Sequence, residues 1–482
     1  MTKKTLYFLL IFSSIFIFRA EAQNEVDALR YSTYNLTGSA KFSSMGGAFG
    51  ALGGEFSALS QNPAGIGMYQ FSEISFTPII NFNSTKSYND SYSNIDYKSA
   101  MKIGNLGLIL NIPKKDSPWK RFNIGIGWNQ LSNYDNSIKI QSFNENNSII
   151  DRIIDLTNEI SNNDLTNGLA NTYSQMAWNT YLIDPLYQGN QLVDGEYVSN
   201  FANTSRLQTK NIRSSGDMTE FIFTVGASYQ DKLYVGATVG VPTINYYEYS
   251  EYIEQIENDT SNNLRNMLLS EEIVAYGDGI NLKIGAIYRL AENIKIGGSL
   301  HTPTFFSIEE DYNTSTTAFF KDSTLEYSMG YLNPFSYDLI TPFKSSISAS
   351  TTITNILIAA ELEYIDYSSA EFFTNNFDTE NQIISSIYQN TENIKIGAEL
   401  KISPVVLRVG YAKFGSAYKN YDFSRENYSY GMGVNNGNYY FDFAYVLNQG
   451  ENQTSLYGGG YVDATRLVNT NHNFLFTVGL RY

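Results

Sequence analysis

The sequence predicts an all-β protein, a transmembrane antiparallel β-barrel of about fourteen strands. Segments of about ten residues alternate apolar and polar side chains, as do barrel strands with an apolar outside and a polar lumen. The connections between these segments are alternately tight and long. Beyond the N-terminal leader, no apolar run approaches the roughly 20 residues that a membrane-spanning helix needs. These three observations together favour a barrel over a helical membrane protein or a soluble domain.

The first 22 residues have the features of a removable signal peptide. Lys3 and Lys4 form a short basic region, and an apolar run of 13 residues extends from Leu6 to Phe18. The small residues of "AEA" at 20–22 then offer a cleavage site, so Gln23 is the predicted mature N-terminus. A signal peptide followed by barrel strands predicts a location in the outer membrane of a Gram-negative cell.

The C-terminal segment shows the alternation most clearly. In "NHNFLFTVGLRY", Phe474, Phe476 and Val478 share one face, whereas Leu475 and Thr477 share the other. The segments "LYVGATVGV", "INLKIGAIY" and "IKIGAELKI" alternate in the same way. A soluble β-sandwich also alternates, but its strands are nearer five or six residues long. A last strand that ends on an aromatic residue is typical of bacterial outer-membrane barrels.

Fourteen such segments are predicted, and an even number is what single-chain bacterial barrels have. They lie near residues 74–83, 101–112, 122–133, 218–230, 233–249, 279–290, 294–310, 341–353, 355–367, 392–402, 404–415, 427–435, 437–447 and 471–482. Tight connections are predicted at Asp231–Lys232, Ala291–Asn293, Thr354–Asn355, Ser403–Pro404 and Asn436, and the longest loop at 134–217. Short turns lie on the periplasmic side of such barrels. We therefore expect a monomeric barrel with both chain ends in the periplasm.

Composition excludes several classes of function. The formal net charge is −16, whereas nucleic-acid binding requires clustered Lys and Arg. The chain has no cysteine and two histidines, which removes disulfides, thiolate chemistry and a multi-histidine metal site. His301 and His472 are accompanied by no nucleophile motif. We therefore expect neither an enzyme nor a protein with a metal or another cofactor.

Glycines are concentrated on the strand faces that are predicted to line the lumen. They are Gly107, Gly125, Gly127, Gly226, Gly236, Gly240, Gly285, Gly297, Gly397, Gly410, Gly431, Gly433 and Gly479, with Gly104 and Gly298 as exceptions. Glycine eases bends and bulges in a barrel wall, and it also marks the close approach of another backbone. The sequence leaves both interpretations open.

The stretch between the signal peptide and the first strand is rich in small residues and contains "FSALSQNPAGIGMY". Asn-Pro initiates a turn, and Pro63 disfavours a helical conformation at Asn62. No Gly-Lys-Ser/Thr follows the glycines, so a phosphate loop is excluded. A barrel of about fourteen strands encloses space that wall side chains alone do not fill. This stretch is well placed to fill it.

In the order and placement of its motifs, the sequence resembles the FadL/TodX family of outer-membrane transporters for long-chain fatty acids and other hydrophobic compounds. In that family an N-terminal hatch with an Asn-Pro-Ala motif precedes a fourteen-stranded barrel, and here Asn62, Pro63 and Ala64 match the motif. "GSAKFSSMGGAFGALGGEFSALSQNPAG" resembles the wider hatch pattern, and "NIKIGGSLHTPTFFSIEED" and "NIKIGAELKISPVVLRVGYAKFG" resemble strand pairs. The resemblance implies a signal peptide at 1–22, a hatch or plug inside the lumen at 23–70, and a barrel at 71–482.

The resemblance also implies a function, the uptake of long-chain fatty acids or other hydrophobic small molecules by a barrel surrounded by outer-membrane lipid. A carboxylate that is excluded from water needs a cation. Lys283 and Lys395 are the candidate ligand-binding residues, because each lies on a strand that descends from the outer surface. The alternative is that lumen charges simply pair with one another. A second function stays open: FadL-like barrels also serve as surface shuttles or interaction components of type IX protein secretion.

The longest loop carries helical patterns. "SIIDRIIDLTNEI" has isoleucines at helical spacing, and Leu165, Leu169, Tyr173 and Met176 predict another helix. In the family that the sequence resembles, outer-loop helices form an apolar groove that captures ligand. The alternative is that these helices cap the barrel.

Overall fold

The computed structural model describes residues 25–89, 92–199, 201, 205–256, 263–331, 334–374, 377–458 and 460–482. These residues form a closed antiparallel barrel of fourteen strands around a folded N-terminal segment, which confirms the predicted fold class. We call residues 25–70 the hatch. The predicted signal peptide, residues 1–22, lies outside the described residues.

The strands, in chain order, are β1 (Glu73–Asn89), β2 (Tyr92–Pro113), β3 (Trp119–Asn133), β4 (Asn136–Asn144), β5 (Asp184–Gln188), β6 (Gln191–Val198), β7 (Arg206–Tyr229), β8 (Leu233–Ile256), β9 (Leu264–Ala291), β10 (Ile294–His301), β11 (Phe305–Phe320), β12 (Thr324–Tyr331), β13 (Phe335–Ile340), β14 (Lys344–Ile353), β15 (Ile356–Asp366), β16 (Glu371–Phe372), β17 (Asn390–Ile402), β18 (Val405–Phe414), β19 (Arg425–Asn435), β20 (Tyr439–Thr454) and β21 (Thr465–Arg481). Four barrel strands are built from consecutive segments, namely β3–β4, β10–β11, β12–β14 and β15–β16. The hairpin β5–β6 lies outside the barrel sheet.

The helices are α1 (Glu25–Ser32), α2 (Ala40–Ser44), α3 (Ile149–Thr157), α4 (Asn162–Thr166), α5 (Thr172–Asn179) and α6 (Asp378–Ile387), with 3₁₀ helices at Ser57–Ser60, Pro63–Met68 and Tyr367–Ser369. Of the helices among the described residues, none has the length and apolar character needed to cross a bilayer.

The barrel closes where β1 pairs with β21, from Glu73↔Arg481 to Tyr88↔Arg466. Successive side chains of a strand point to opposite sides. In β1, Ile74 and Phe76 are therefore exposed on the outside while Thr77 is buried against the lumen. The same apolar outer face continues around the barrel. A closed antiparallel barrel with such a belt is the structure of an outer-membrane protein, as the sequence predicts.

All five predicted tight connections are hairpins in the structure, joining β7 to β8, β9 to β10, β14 to β15, β17 to β18 and β19 to β20. The longest excursion is shorter than the predicted loop 134–217, because β4 prolongs the third barrel strand to Asn144 and β7 already begins at Arg206. The strands remain paired beyond the bilayer, where water surrounds the barrel and polar side chains are tolerated on its outer face as well as on its inner face. A strand needs only about 9–11 residues to cross the membrane, and β9 has 28.

The excursion between β4 and β7 folds into the barrel mouth and caps it. The apolar face of α3 (Ile149, Ile150 and Ile153) is buried together with wall residues such as Tyr252 and Leu269. The second predicted helix is divided into α4 and α5 by a turn at Gly168, whose φ is +73°. Since the apolar face of α3 is covered, the packing favours the capping interpretation over an open apolar groove.

Candidate functional site

The hatch fills the lumen from the outer half of the barrel to its periplasmic end. In the outer half, Ala28 and Tyr31 of α1 are buried with the wall residues Met218, Phe306 and Tyr337. Near the other end, Tyr69 is buried with Ile109 and Ile222. The N-terminal segment is therefore a core for the barrel as well as an obstruction within it.

The Asn-Pro-Ala motif fixes a turn at the centre of the hatch. The side chain of Asn62 accepts a hydrogen bond from Ala64 N at 3.0 Å and so caps the 3₁₀ helix that begins at Pro63. Its Nδ2 donates to Gly50 O at 2.6 Å, on another hatch segment. Ala64 is fully buried against Tyr234 of the wall. The motif therefore joins two parts of the hatch and seats them on the barrel.

The wall glycines face the hatch across most of the lumen. A Cβ at Gly397 would lie 2.8 Å from Met45 Cβ, and one at Gly410 would lie 2.8 Å from Met45 Cα. At Gly236 and Gly285 it would collide with Pro63 O and with Asn62 Oδ1. Of the two alternatives that the sequence left open, close approach of another backbone is thus the dominant one.

One glycine corrects the predicted pattern. Gly104 was expected to face away from the lumen, but a β-bulge between Thr77 and Pro78 shifts the register there, and its Cβ would lie 2.8 Å from Gly38 O of the hatch. Three glycines keep the predicted lumen position but face wall side chains instead of the hatch. They are Gly240 against Glu220, Gly433 against Asp442 and Gly479 against Tyr440.

Lys283 and Lys395, the predicted ligand-binding residues, lie on the lumen side and are both paired with carboxylates. Lys283 is 2% exposed and bonds both carboxylate oxygens of the fully buried Glu220. Lys395 lies 3.0 Å from Glu361 Oε1 and 3.5 Å from Glu363 Oε2. The ion pairs favour the alternative of a mutually paired wall. Ligand binding by these lysines stays a prediction, and it requires a carboxylate to give up its partner.

Glu361 connects this ionic wall to the hatch. Its carboxylate accepts a hydrogen bond from Gly50 N at 2.9 Å and another from the side chain of Gln61. His301 Nε2 lies 2.7 Å from Gln61 O, so this histidine belongs to the hatch contact. Lys344 Nζ donates to Ser32 O at 3.3 Å. Charged wall side chains thus hold three separate points of the hatch.

Among the described residues, the barrel wall contains a seam, formed by residues 92–104 of β2 and residues 130–144 of β3 and β4. Below it, β2 and β3 pair from Asn105↔Asn129 to Pro113↔Arg121. Within the seam, β2 pairs only with β1, while β3 and β4 pair with β7. These two stretches, which the structure describes in full, share no backbone pairing with each other.

Hatch residues occupy the free edge of β3 in the seam. Asn35 N donates to Leu131 O at 2.8 Å, and Asn133 N donates to Asn35 Oδ1 at 3.0 Å. Thr37 Oγ1 donates to Gln130 O at 2.6 Å, and Ser132 Oγ donates to Thr33 O at 2.7 Å. The seam and the hatch are therefore coupled. When the wall parts here, the hatch residues leave the edge of β3, and the backbone groups of that edge lose their partners.

Ion pairs close the seam from the lumen side. Lys102 Nζ lies 3.1 Å from Asp135 Oδ2 and 3.4 Å from Asp217 Oδ2. Lys98 Nζ lies 3.7 Å from Asp135 Oδ1 and donates to Ser214 O at 2.7 Å. We call these four charged residues the seam latch. The latch uses side chains in the place where neighbouring barrel strands use backbone hydrogen bonds.

A cavity of about 430 Å³ lies under the hatch at the periplasmic mouth. It is lined by charged residues of both signs, among them Lys41, Glu73, Lys401 and Arg481. The hatch residue Glu55 also faces it, and burial raises the pKa of this carboxyl group above its usual value. This mouth is suited to water and ions, and a hydrocarbon is not stabilised there.

A second cavity of about 410 Å³ lies between α1 and the wall formed by β1, β3, β4 and β19–β21; we call it the upper chamber. Its lining is rich in asparagine: Asn35, Asn83, Asn133, Asn136, Asn448, Asn452, Asn469 and Asn471. Sequence analysis did not identify the chamber. Its signal was nevertheless present, since asparagines recur at every second residue in "NFNS" and in "NTNHN".

Neither the protein-family models nor the curated proteins give a match to this sequence. Solved structures do match it in fold. A Pseudomonas aeruginosa FadL homologue is 14% identical with a TM-score of 0.53, over 94% of this chain and 99% of that one. Two structures of the Pseudomonas putida toluene transporter TodX are 12% and 13% identical with TM-scores of 0.52 and 0.51, each over 94% of this chain and 99% or more of theirs. The chain therefore has the fold of the FadL and TodX outer-membrane transporters, as its sequence predicts.

Proposed function

We propose that this protein is an outer-membrane channel that takes up hydrophobic small molecules, long-chain fatty acids among them, and releases them sideways through the seam. The likeness in fold to a FadL homologue and to the toluene transporter TodX supports the class of ligand. The observation that carries the route is the interrupted backbone pairing between β2 and β3–β4.

The two ends of the lumen support a sideways route. The cap covers the outer mouth of the barrel with a packed apolar layer. A ligand therefore enters by moving cap side chains aside, and no open water-filled path leads into the lumen from this end. The hatch and the charged periplasmic cavity obstruct the straight path to the other end. A hydrophobic molecule gains most by leaving into the bilayer, where burying its apolar surface contributes about 25 cal/mol per Å².

The seam is the part of the wall that can open without breaking backbone hydrogen bonds between strands. Opening it requires the seam latch to separate and hatch residues 33–37 to leave the edge of β3. It also breaks the side-chain bonds across the seam from Ser137 to Asp96, from Asn83 to Asp135 O and from Ser87 to Lys139 O. These contacts lie on the lumen side of the wall, away from the lipid. This makes a transient opening far less costly than parting two fully paired strands.

A cross-link across the seam tests this route. Because the chain has no cysteine, Lys102→Cys with Asp135→Cys can be joined by a reducible bifunctional thiol reagent. We expect cells that express the cross-linked protein to lose most uptake of labelled palmitate and of toluene, and to regain it after reduction. The matched control is Ile296→Cys with Ala349→Cys, which joins two strands that are already paired. Undiminished uptake through the cross-linked seam would overturn the route.

A second candidate is a surface interaction component of protein secretion, and the hairpin β5–β6 favours it. Its cross-strand pair Tyr187 and Leu192 is exposed on the cap, where a protein partner has access. Removing residues 184–198 should abolish protein export and spare palmitate uptake if this second function applies. The channel function requires the reverse, an effect on uptake alone.

A further inference from the structure

The upper chamber has a wall built from carboxamides in register. Asn427, Asn448, Asn471 and Asn83 lie directly opposite one another on the four adjacent strands β19, β20, β21 and β1. All four lie on the lumen face of their strands. Asn448 Nδ2 donates to Asn427 Oδ1 at 2.8 Å and Asn83 donates to Asp135 O, so part of the row is paired within the protein. The remaining carboxamide groups can both donate and accept hydrogen bonds, which is an unusual lining for the path of a bare hydrocarbon.

Several polar groups of this wall have no partner. The carboxamide of Asn471, a half-buried residue that lines the chamber, makes no hydrogen bond with the described residues. Its neighbour in the row, Asn427, lies outside the chamber lining, and its buried Nδ2 has no acceptor among the described residues. Tyr134 Oη, from the opposite side of the chamber, is also buried without a partner in the described part of the chain. Buried polar groups in proteins are nearly always satisfied, so the unpaired Tyr134 Oη points to a missing polar ligand or to water in the chamber.

One guanidinium completes the chamber. Arg425 begins β19, and its Nη2 donates to Tyr34 O of the hatch at 3.2 Å. Across the strand pair stands Gly450, where a Cβ would lie 2.9 Å from Arg425 Cγ, so the glycine provides the space for this side chain. No carboxylate of the described residues forms an ion pair with Arg425. The other chamber charges are paired: Arg30 with Asp27, Asp135 with Lys102, and Glu451 with Arg466.

One part of the chamber is apolar. Val26 and Leu29 of α1 line it together with Tyr418 and Phe423 of the loop between β18 and β19, whereas the hatch residues Arg30, Thr33 and Asn35 make the rest of that side polar. The chamber is thus amphipathic, with carboxamides and one unneutralised cation beside an apolar patch at α1. Its volume of about 410 Å³ lies in the range of small-molecule sites.

We propose that the upper chamber binds the head group of an amphipathic acid that carries an amide or hydroxyl group beside its carboxylate, as an N-acyl amino acid does. The carboxylate pairs with Arg425, the amide is held by the row that includes Asn471, and the acyl chain lies along α1. This inference rests on the proposed function and narrows its substrate class. A fatty acid without the additional polar group satisfies Arg425 but leaves the carboxamide of Asn471 without a partner.

Three probes with nearly matched acyl chains separate the parts of the proposal. They are N-palmitoylglycine, with amide and carboxylate; palmitate, with carboxylate alone; and N-palmitoylethanolamine, with amide and hydroxyl but no charge. Binding to the full chain in lipid nanodiscs is measured by calorimetry. We expect N-palmitoylglycine to bind about tenfold more tightly than either of the others, the equivalent of one well-formed polar contact.

Two variants assign the contacts. Arg425→Met should weaken N-palmitoylglycine and palmitate about tenfold and leave N-palmitoylethanolamine unchanged. Asn471→Leu should remove the preference for N-palmitoylglycine over palmitate, and because this side chain bonds no described residue the variant should fold normally. Arg213→Met, an exposed arginine outside the chamber, is the control and should change nothing.

The possible failures are distinguishable. Equal affinity for palmitate and N-palmitoylglycine in the parent chain overturns the head-group proposal and leaves the channel function intact. Unchanged binding of all three probes in Arg425→Met overturns the assigned cation. Absence of binding for every probe counts against both the head-group proposal and the proposed uptake of acyl compounds.

Discussion

At the scale of single residues, ion pairs between residues distant in the sequence hold the lumen face of the wall together. The alternation placed Lys283 and Lys395 on the lumen face, where the structure has them. The carboxylate that neutralises Lys283 is Glu220, 63 positions earlier in the chain. No local pattern records that pairing, because it depends on strand register across β7, β8 and β9.

The wall glycines illustrate the same limit. A glycine at a lumen position is compatible with a bend in the strand or with a close neighbour, and only the position of the hatch decides between the two. At Gly236 that neighbour is the backbone of Pro63, which no rotamer change can move aside.

The first prediction at this scale is that Gly236→Ala unseats the hatch. The added methyl group collides with Pro63 O, and overpacking of this kind costs about 1–3 kcal/mol. In planar bilayers we expect frequent brief openings that the parent chain does not show. Gly298→Ala is the matched control, since its Cβ meets only Ser346 O at 3.4 Å. Equally quiet traces from both variants would count against the tight seating of the hatch.

At the scale of elements, the centres of the strands follow from the sequence and their ends do not. Apolar and polar residues alternate only where lipid lies outside, so the pattern fades above the bilayer although pairing continues. This is why β4 and the outer parts of β7 and β9 were missed. The seam was missed for a related reason, because alternation shows that a strand exists without showing which neighbour it pairs with.

The cap was predicted in outline, and its attachment was not. Glu254 of β8 is buried and accepts hydrogen bonds from Ser148 Oγ at 2.6 Å and Ile149 N at 2.9 Å, at the start of α3. It also pairs with Arg206 at 3.2 Å. One wall carboxylate thus holds both ends of the excursion that forms the cap.

We therefore predict that Glu254→Gln loosens the cap. The substitution removes the charge that Arg206 faces, and breaking a buried ion pair costs about 3–5 kcal/mol. Limited proteolysis of intact cells should cut variant chains within residues 145–205 several times faster than parent chains, and the tight periplasmic turns should stay protected in both. The control is Glu251→Gln, a change on the same strand whose carboxylate is bonded only by Tyr249 among the described residues. If the two variants are cut at the same rate, Glu254 is not the anchor.

At the scale of the whole molecule, the barrel and its filled lumen could be predicted, because strand number, tight turns and the Asn-Pro-Ala stretch are all local features. The upper chamber and the seam could not. Each is made by groups from distant parts of the chain, such as Asn35 of the hatch with Leu131 of β3. The features that local sequence patterns do not predict thus lie in the fit between hatch and wall.

The last prediction concerns that fit. Deleting residues 24–69 while keeping the predicted signal peptide should leave an inserted barrel, because strand pairing satisfies the backbone within the membrane and β1 still closes on β21. Without the hatch, the ionic wall around Glu361 becomes hydrated and the lumen conducts small polar solutes. We expect a steady conductance in planar bilayers from the deleted form and little from the parent. The substitutions Lys102→Cys and Asp135→Cys can also be made in the deleted form. Its uptake should then be the same with the seam cross-linked and after reduction, because solutes pass through the open lumen and do not need the seam. A deleted form that inserts and stays as closed as the parent would show that the hatch does not plug the lumen.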